Sequence, residues 1–139
     1  MDRPMTDPSS PRPRWAVAVA LAAMAFGIVT VAVGGNTLFG GAQAGDIVPF
    51  VLWFNFLAGF AYVAAGVGLW RWRRWAALVA AAIAAGTLAV FAAFGLHVLA
   101  GGAFETRTVG AMTLRSLVWV AIAVAACRAL GLAKPGPRA

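Results

Sequence analysis

The chain has 139 residues, of which 63% are hydrophobic and 11% are charged, and its formal net charge is +7. Soluble domains are about 45–50% apolar, so this composition indicates a membrane protein. The basic residues stand between apolar runs and do not cluster on one folded face, so the positive charge does not indicate nucleic-acid binding.

Four apolar runs, separated by polar or glycine-rich segments, predict four membrane-spanning helices. Each run has at least the roughly 20 residues that a helix needs to cross about 30 Å of hydrocarbon. The predicted spans are approximately 15–34, 50–70, 75–100 and 109–130. Because the connections between them are short, the sequence predicts an all-α, antiparallel four-helix bundle with up-down-up-down topology in residues 15–131.

The N-terminal region allows two interpretations. Residues 1–14 are rich in proline, serine and charge, so we expect a disordered cytoplasmic tail. The following run resembles a signal peptide, because Ala42-Gln43-Ala44 matches the small-residue pattern of a cleavage site. However, the apolar run is too long for a signal peptide, and that sequence lies well beyond its end. We therefore predict a retained first helix.

The first two connections differ in character. Residues 35–48 are dense in glycine and carry Asp46, which predicts a flexible first outer loop. Pro49 is suited to a helix start. The second span ends in the sequence WRWRRW at residues 70–75, where tryptophan and arginine together mark a membrane boundary.

The third span is longer than a bilayer requires and is followed by Gly101-Gly102, which predicts its end. Residues 103–108 predict a short second outer loop. After the fourth span, residues 132–139 form a short basic tail, which we expect in the cytoplasm.

The distribution of basic residues predicts the orientation. Only Arg107 and Arg115 fall on the outer side of the predicted topology. The other nine fall on the opposite side: Arg3, Arg12, Arg14, Arg71, Arg73, Arg74, Arg128, Lys134 and Arg138. By the positive-inside rule, we expect a multi-pass protein of a bacterial-type inner (plasma) membrane with both termini in the cytoplasm.

The polar residues within the spans predict a common layer beneath the outer surface. Arg115 and Trp119 are four residues apart, close enough for a cation–π contact. The candidate ligand-binding residues of this layer are Asp46, Asn55, Tyr62, His97, Glu105, Arg107, Arg115 and Trp119. Two of them are carboxylates that can pair with Arg115.

Structural explanations compete with a shared binding site. A long side chain such as Arg115 can extend to the interface from a shallow position. A lone histidine near a helix end, such as His97, is commonly an interfacial residue. Asn55 and Tyr62 can hydrogen-bond across helices, and such bonds contribute about 0.6 kcal/mol in membranes.

The sequence offers no positive sign of catalysis or of a cofactor. Bis-His haem is excluded because there is one histidine, and Cys-based metal sites are excluded because Cys127 is the only cysteine. Neither a metal-ligand spacing nor a nucleophile with a neighbouring base is present. We therefore expect a protein that is not an enzyme, with no catalytic or metal residues and no implied cofactor.

Chain length and span number resemble those of the small multidrug resistance transporters. Those proteins carry a membrane-embedded glutamate in their first helix, whereas residues 15–34 contain no acidic residue. The resemblance is therefore limited to size and does not imply proton-coupled transport.

Two functions follow as expectations. The first is a non-enzymatic accessory or self-associating membrane subunit, with the lipid bilayer and a second copy or a partner membrane protein as its partners. The alternative is that a layer of Asn55, His97, Glu105 and Arg115 binds or transports a small molecule, anion, lipid headgroup, quinone or proton.

Overall fold

The computed structural model describes residues 12–40 and 46–130. Within these ranges the chain forms four helices and no strand: α1 (Arg14–Phe39), α2 (Pro49–Trp70), α3 (Arg74–Leu99) and α4 (Thr106–Ala129). Each helix is long and apolar enough to cross a membrane, so the prediction of an all-helical chain with four long apolar helices is confirmed. The Ala42-Gln43-Ala44 sequence and most of both predicted tails, 1–11 and 132–139, lie outside the described residues.

Two helices are longer than the apolar runs predict. α1 continues through Asn36 and Thr37 to Phe39, five residues past Gly34, and the Thr37 hydroxyl donates to the Val33 carbonyl at 3.0 Å. α4 begins at Thr106, inside the predicted second outer loop. Hydropathy predicts only the part of a helix that lies in hydrocarbon. The backbone hydrogen bonds of the helix can continue past that part through polar residues, so the two kinds of boundary differ.

α2 and α3 end in the same type of turn. At the end of α2 the Arg73 N–H donates to the Gly68 carbonyl at 2.9 Å, which is the hydrogen bond of a Schellman motif. The left-handed residue of this turn is Trp72, with φ 54°, whereas in α3 it is Gly101, with φ 85°. Glycine adopts this backbone conformation without the steric cost that a side chain adds.

Consecutive helices run antiparallel, and α1 lies closest to α2. A Cβ atom on Gly27 would lie 2.7 Å from the Gly59 carbonyl oxygen, and one on Gly66 would lie 2.5 Å from Met24 Cγ and 2.9 Å from the Ala20 carbonyl oxygen. Such distances leave no space for larger residues. Glycine on the facing sides of both helices therefore brings their backbones into contact.

The two ends of the bundle are packed differently. We call the end that carries the Arg71–Arg74 turn the basic end, and the end that carries Asp46 and Glu105 the acidic end. At the basic end all four helices meet through mostly small buried residues: Ala20, Leu69, Ala76, Ala77 and Ala126. At the acidic end the buried cluster is Val48, Val51, Phe94 and Met112, which includes no α1 residue. α1 and α4 therefore touch at the basic end and separate toward the acidic end.

Candidate functional site

Three aromatic rings join α1, α2 and α4 in the middle of the bundle. The Tyr62 ring stacks on Phe26, with centroids 5.5 Å apart, and on Trp119, with centroids 4.6 Å apart. Tyr62 is fully buried and Trp119 is 1% exposed. Stacked aromatic contacts add to the stabilisation from burial, so these rings form a rigid support for the polar groups around them.

Several polar groups around these rings have no partner within the described ranges. The Tyr62 hydroxyl faces the Thr87 hydroxyl and the Arg115 guanidinium, but it reaches hydrogen-bond geometry with neither. Among the described residues, the buried side-chain atoms without a hydrogen-bond partner are Tyr62 Oη, Thr87 Oγ1, Arg115 Nε, Ser116 Oγ and Trp119 Nε1, together with Asn55 Oδ1, which lies apart from the rings toward the acidic end. Buried polar groups in proteins are nearly always partnered, so a concentration of orphans calls for an explanation.

Arg115 is the least expected of these residues, because it carries a full charge and is nevertheless only 9% exposed. Its Nη1 approaches Met112 Sδ at 3.7 Å, and its guanidinium carbon lies 5.6 Å from the centre of the Phe26 ring. The cation–π contact of Arg115 is thus with Phe26 and not with Trp119 as predicted, and the Trp119 ring stacks on Tyr62. A thioether and a ring face are weak partners for a buried charge.

An apolar groove lies between α1 and α4, where the two helices separate. Its volume is about 320 Å³, and it is lined by Ala22, Ala23, Phe26, Leu114, Arg115, Val118, Trp119 and Ile122. All of these residues except Arg115 are apolar or aromatic. The α1–α4 groove therefore presents a hydrocarbon-like surface with one cationic side chain in its wall.

Four of the predicted site residues lie elsewhere, around a pocket of about 180 Å³ at the acidic end. Asp46, Asn55, Glu105 and Arg107 line this pocket together with Thr37. The Glu105 carboxylate accepts a hydrogen bond from the Asp46 backbone N–H at 3.1 Å. Glu105 therefore connects the two predicted outer loops and does not take part in the contacts of Arg115.

His97 occupies a third place. It lies in the last turn of α3, where its Nε2 is 3.1 Å from the Ala103 carbonyl oxygen. Its ring is edge-on to Phe50, with centroids 6.2 Å apart. The first contact lies in the α3–α4 connection and the second reaches α2, and His97 is not among the residues that line the α1–α4 groove.

The predicted layer is thus divided among three places. Tyr62, Arg115 and Trp119 come together in the middle of the bundle, apart from the acidic-end pocket and from His97. Phe26, Thr87 and Ser116 also belong to the central site, although they were not among the candidate ligand-binding residues predicted from the sequence. Ser116 could have been found as the neighbour of Arg115, but no local signal connects Phe26 on α1 to a charge on α4.

Arg115 has no carboxylate to pair with on any of the four described helices. Of the four carboxylates, Asp46 and Glu105 lie just outside the helices, and Asp2 and Asp7 precede the described residues. Within residues 12–40 and 46–130, no three His, Cys, Asp or Glu residues come close enough to hold a metal ion. The central site is therefore a cation with hydrogen-bond donors around it, and its chemistry suits a ligand that brings acceptors.

Comparison of the chain with protein-family models, with curated proteins and with solved structures gives no match.

Proposed function

We propose that the chain is a multi-pass integral protein of a bacterial-type inner (plasma) membrane with both termini in the cytoplasm. Large apolar side chains are exposed on all four helices, among them Leu21, Phe60, Leu88 and Leu117. Such surfaces suit hydrocarbon, because soluble monomers rarely expose large contiguous apolar patches. The charge of the basic end supports a cytoplasmic position for that end.

Within this membrane setting the protein is a binding protein and not an enzyme. Its α1–α4 groove receives a hydrophobic molecule from the surrounding lipid, and Arg115 holds an oxygen acceptor of that molecule. The observation that carries this function is the burial of Arg115 in the wall of an apolar groove, with no carboxylate of the described helices beside it. A charged side chain inside the hydrocarbon is unfavourable without a partner, and a bound acceptor would offset that cost.

The type of unpartnered atom defines what the ligand must offer. Arg115 Nε and Trp119 Nε1 carry hydrogen-bond donors and cannot accept. Tyr62, Thr87 and Ser116 carry hydroxyls that can also donate. Of these residues, only Arg115 and Trp119 line the α1–α4 groove. A ligand in the groove that carries carbonyl or carboxylate oxygens therefore suits their donors, whereas an amine or a metal ion does not.

The test is to identify what copurifies with the protein in a mild detergent. We expect the wild-type protein to retain a hydrophobic, oxygen-bearing molecule that is detected by mass spectrometry, and we expect the Arg115→Leu variant to lose it. Arg107→Leu is the matched control, because it removes the same charge from the same helix at an exposed position. Equal amounts of ligand on wild type and Arg115→Leu would contradict the proposed function.

The expectation of an accessory or self-associating subunit stays a prediction. The groove favours ligand binding over self-association, because a second copy would bring no carboxylate to Arg115 from any of its four described helices. Analytical ultracentrifugation in detergent separates the two functions. A stable dimer that is lost on substitution of Arg115 would favour self-association.

A further inference from the structure

The α1–α4 groove has a polar end and a closed apolar end. Arg115 lies on the side nearer the acidic end, while Ala22 and Ile122 line the other side. Beyond them, Ala20 of α1 and Ala126 of α4 belong to one fully buried apolar cluster, which ends the groove toward the basic end. An elongated ligand therefore has one orientation available, with its acceptor at Arg115 and its apolar part directed to the basic end.

The length of the groove suits a single hydrocarbon chain. From Leu114 to Ile122 the helix rises about 12 Å, and one leaflet contributes about 15 Å of hydrocarbon. The lining is apolar throughout this length.

The depth of the guanidinium suits a ligand from the leaflet at the acidic end. α4 has 24 residues, so it is about 36 Å long and exceeds the hydrocarbon core by about 3 Å at each end. Helical side chains point toward the helix N-terminus, and the Arg115 guanidinium accordingly lies beside Met112. That level is about 6 Å below the hydrocarbon boundary.

The burial of Arg115 limits the size of the charged group that can reach it. Because the side chain is only 9% exposed, a small planar head can pair with the guanidinium, whereas a substituted phosphate headgroup cannot be buried at this depth. A carboxylate matches the fork of N–H donors on arginine in two parallel hydrogen bonds.

On these grounds, and resting on the proposed binding function, we infer that the groove binds a single-chain carboxylic acid. The carboxylate pairs with Arg115, and the hydrocarbon chain lies along Phe26, Val118 and Ile122 toward the basic end. Trp119 lines the chain's path and is shielded from bulk lipid by its burial, which makes its fluorescence a reporter of occupancy.

The experiment measures quenching of Trp119 by brominated lipids in the full-length protein, in detergent at alkaline pH, where the probe is ionised. The probes are a stearic acid brominated in mid-chain, its methyl ester and a phosphatidylcholine with the same brominated chain. The part of the fluorescence quenching that is due to Trp119 is the part that is lost in the Trp119→Phe variant. We expect the acid to reach half-maximal quenching at about tenfold lower concentration than the ester, which corresponds to about 1.4 kcal/mol.

Two variants connect this preference to the charge. Arg115→Gln should abolish the difference between acid and ester, whereas Arg107→Gln should keep it, because Arg107 lies outside the groove. The comparison of acid with ester in the wild-type protein stands even if Arg115→Gln fails to fold.

The outcomes separate this inference from the function on which it rests. Equal quenching by acid and ester, or stronger quenching by the phospholipid, overturns the inference that the ligand is a carboxylic acid. Neither result contradicts binding in the groove. If no probe quenches Trp119 but an Arg115-dependent molecule copurifies, the ligand class is wrong and the proposed function stands. If neither is observed, both are wrong.

Discussion

Tyr62 and Trp119 stack with their ring centroids 4.6 Å apart and their planes inclined by 27°, and this contact connects α2 to α4 across the middle of the bundle. It fills the space that α1 and α3 leave between them. Arg115, one turn before Trp119 on α4, contacts Phe26 and lines the groove. Within the described residues its guanidinium is left with Phe26 and Met112, which are weak partners for a charge.

We predict that replacing Arg115 with leucine stabilises the ligand-free protein while abolishing ligand binding. The substitution removes an uncompensated buried charge. Replacing even a paired buried charge by apolar residues is often neutral or stabilises by about 1–4 kcal/mol. Thermal unfolding of delipidated protein in detergent measures the change. Arg107→Leu should alter stability by less than about 0.5 kcal/mol. A lower unfolding temperature for Arg115→Leu than for wild type would indicate a structural polar network.

Gly27→Ala should weaken the packing of α1 on α2. The added Cβ would lie 2.7 Å from the Gly59 carbonyl oxygen and 2.9 Å from the Val63 backbone nitrogen, and backbone atoms cannot move aside as a side chain can. Overpacking of this kind costs about 1–3 kcal/mol. Gly95→Ala is the matched control, because no neighbouring atom lies within 4 Å of the place its methyl group would take. Equal loss of stability in both variants would show that helix contact is not the cause.

The ring and the hydroxyl of Tyr62 should have opposite effects on the free energy of unfolding. Because the hydroxyl is buried without a hydrogen-bond partner among the described residues, Tyr62→Phe should keep or raise stability, by up to about 1 kcal/mol. Tyr62→Ala removes a ring that stacks on both sides and should cost about 3–5 kcal/mol. Chemical unfolding in detergent compares the two. A clear loss of stability in Tyr62→Phe would mean that the hydroxyl bonds to Thr87 or Arg115.

The turn after α3 should depend on glycine at two positions for different reasons. Gly101→Ala forces a side chain into the left-handed region at φ 85°, which costs about 1–2 kcal/mol. Gly102→Ala places a methyl group against the His97 ring and should displace it from the Ala103 carbonyl. Gly110→Ala meets no neighbour within 4 Å and should be neutral. Unfolding curves test the first variant, and the histidine NMR signal tests the second.

The proposed topology predicts opposite accessibility of the two ends. Asp46 and Arg73 are both exposed and lie at the acidic and basic ends. In a Cys127→Ala background, a membrane-impermeant maleimide should label Asp46→Cys in intact cells and Arg73→Cys only after permeabilisation. Labelling of Arg73→Cys in intact cells would contradict the cytoplasmic position of the basic end.

The sequence by itself determined the number of helices and most of their ends. The reason is that these features are local: a run of apolar residues has a length, and Pro49 or Gly101 acts on its own segment.

Only the tertiary structure decided which polar residues meet. Glu105 was predicted to be within reach of Arg115, but α4 begins at Thr106, so about 15 Å of helix separates the two Cα atoms along the axis. The position of α1 depends on glycines of two helices facing each other, as at Gly27 and Gly59. These facing glycines bring α1 close to α2 and leave the groove open beside α4. Because the contact depends on residues of two separate helices, no single segment of the sequence predicts it.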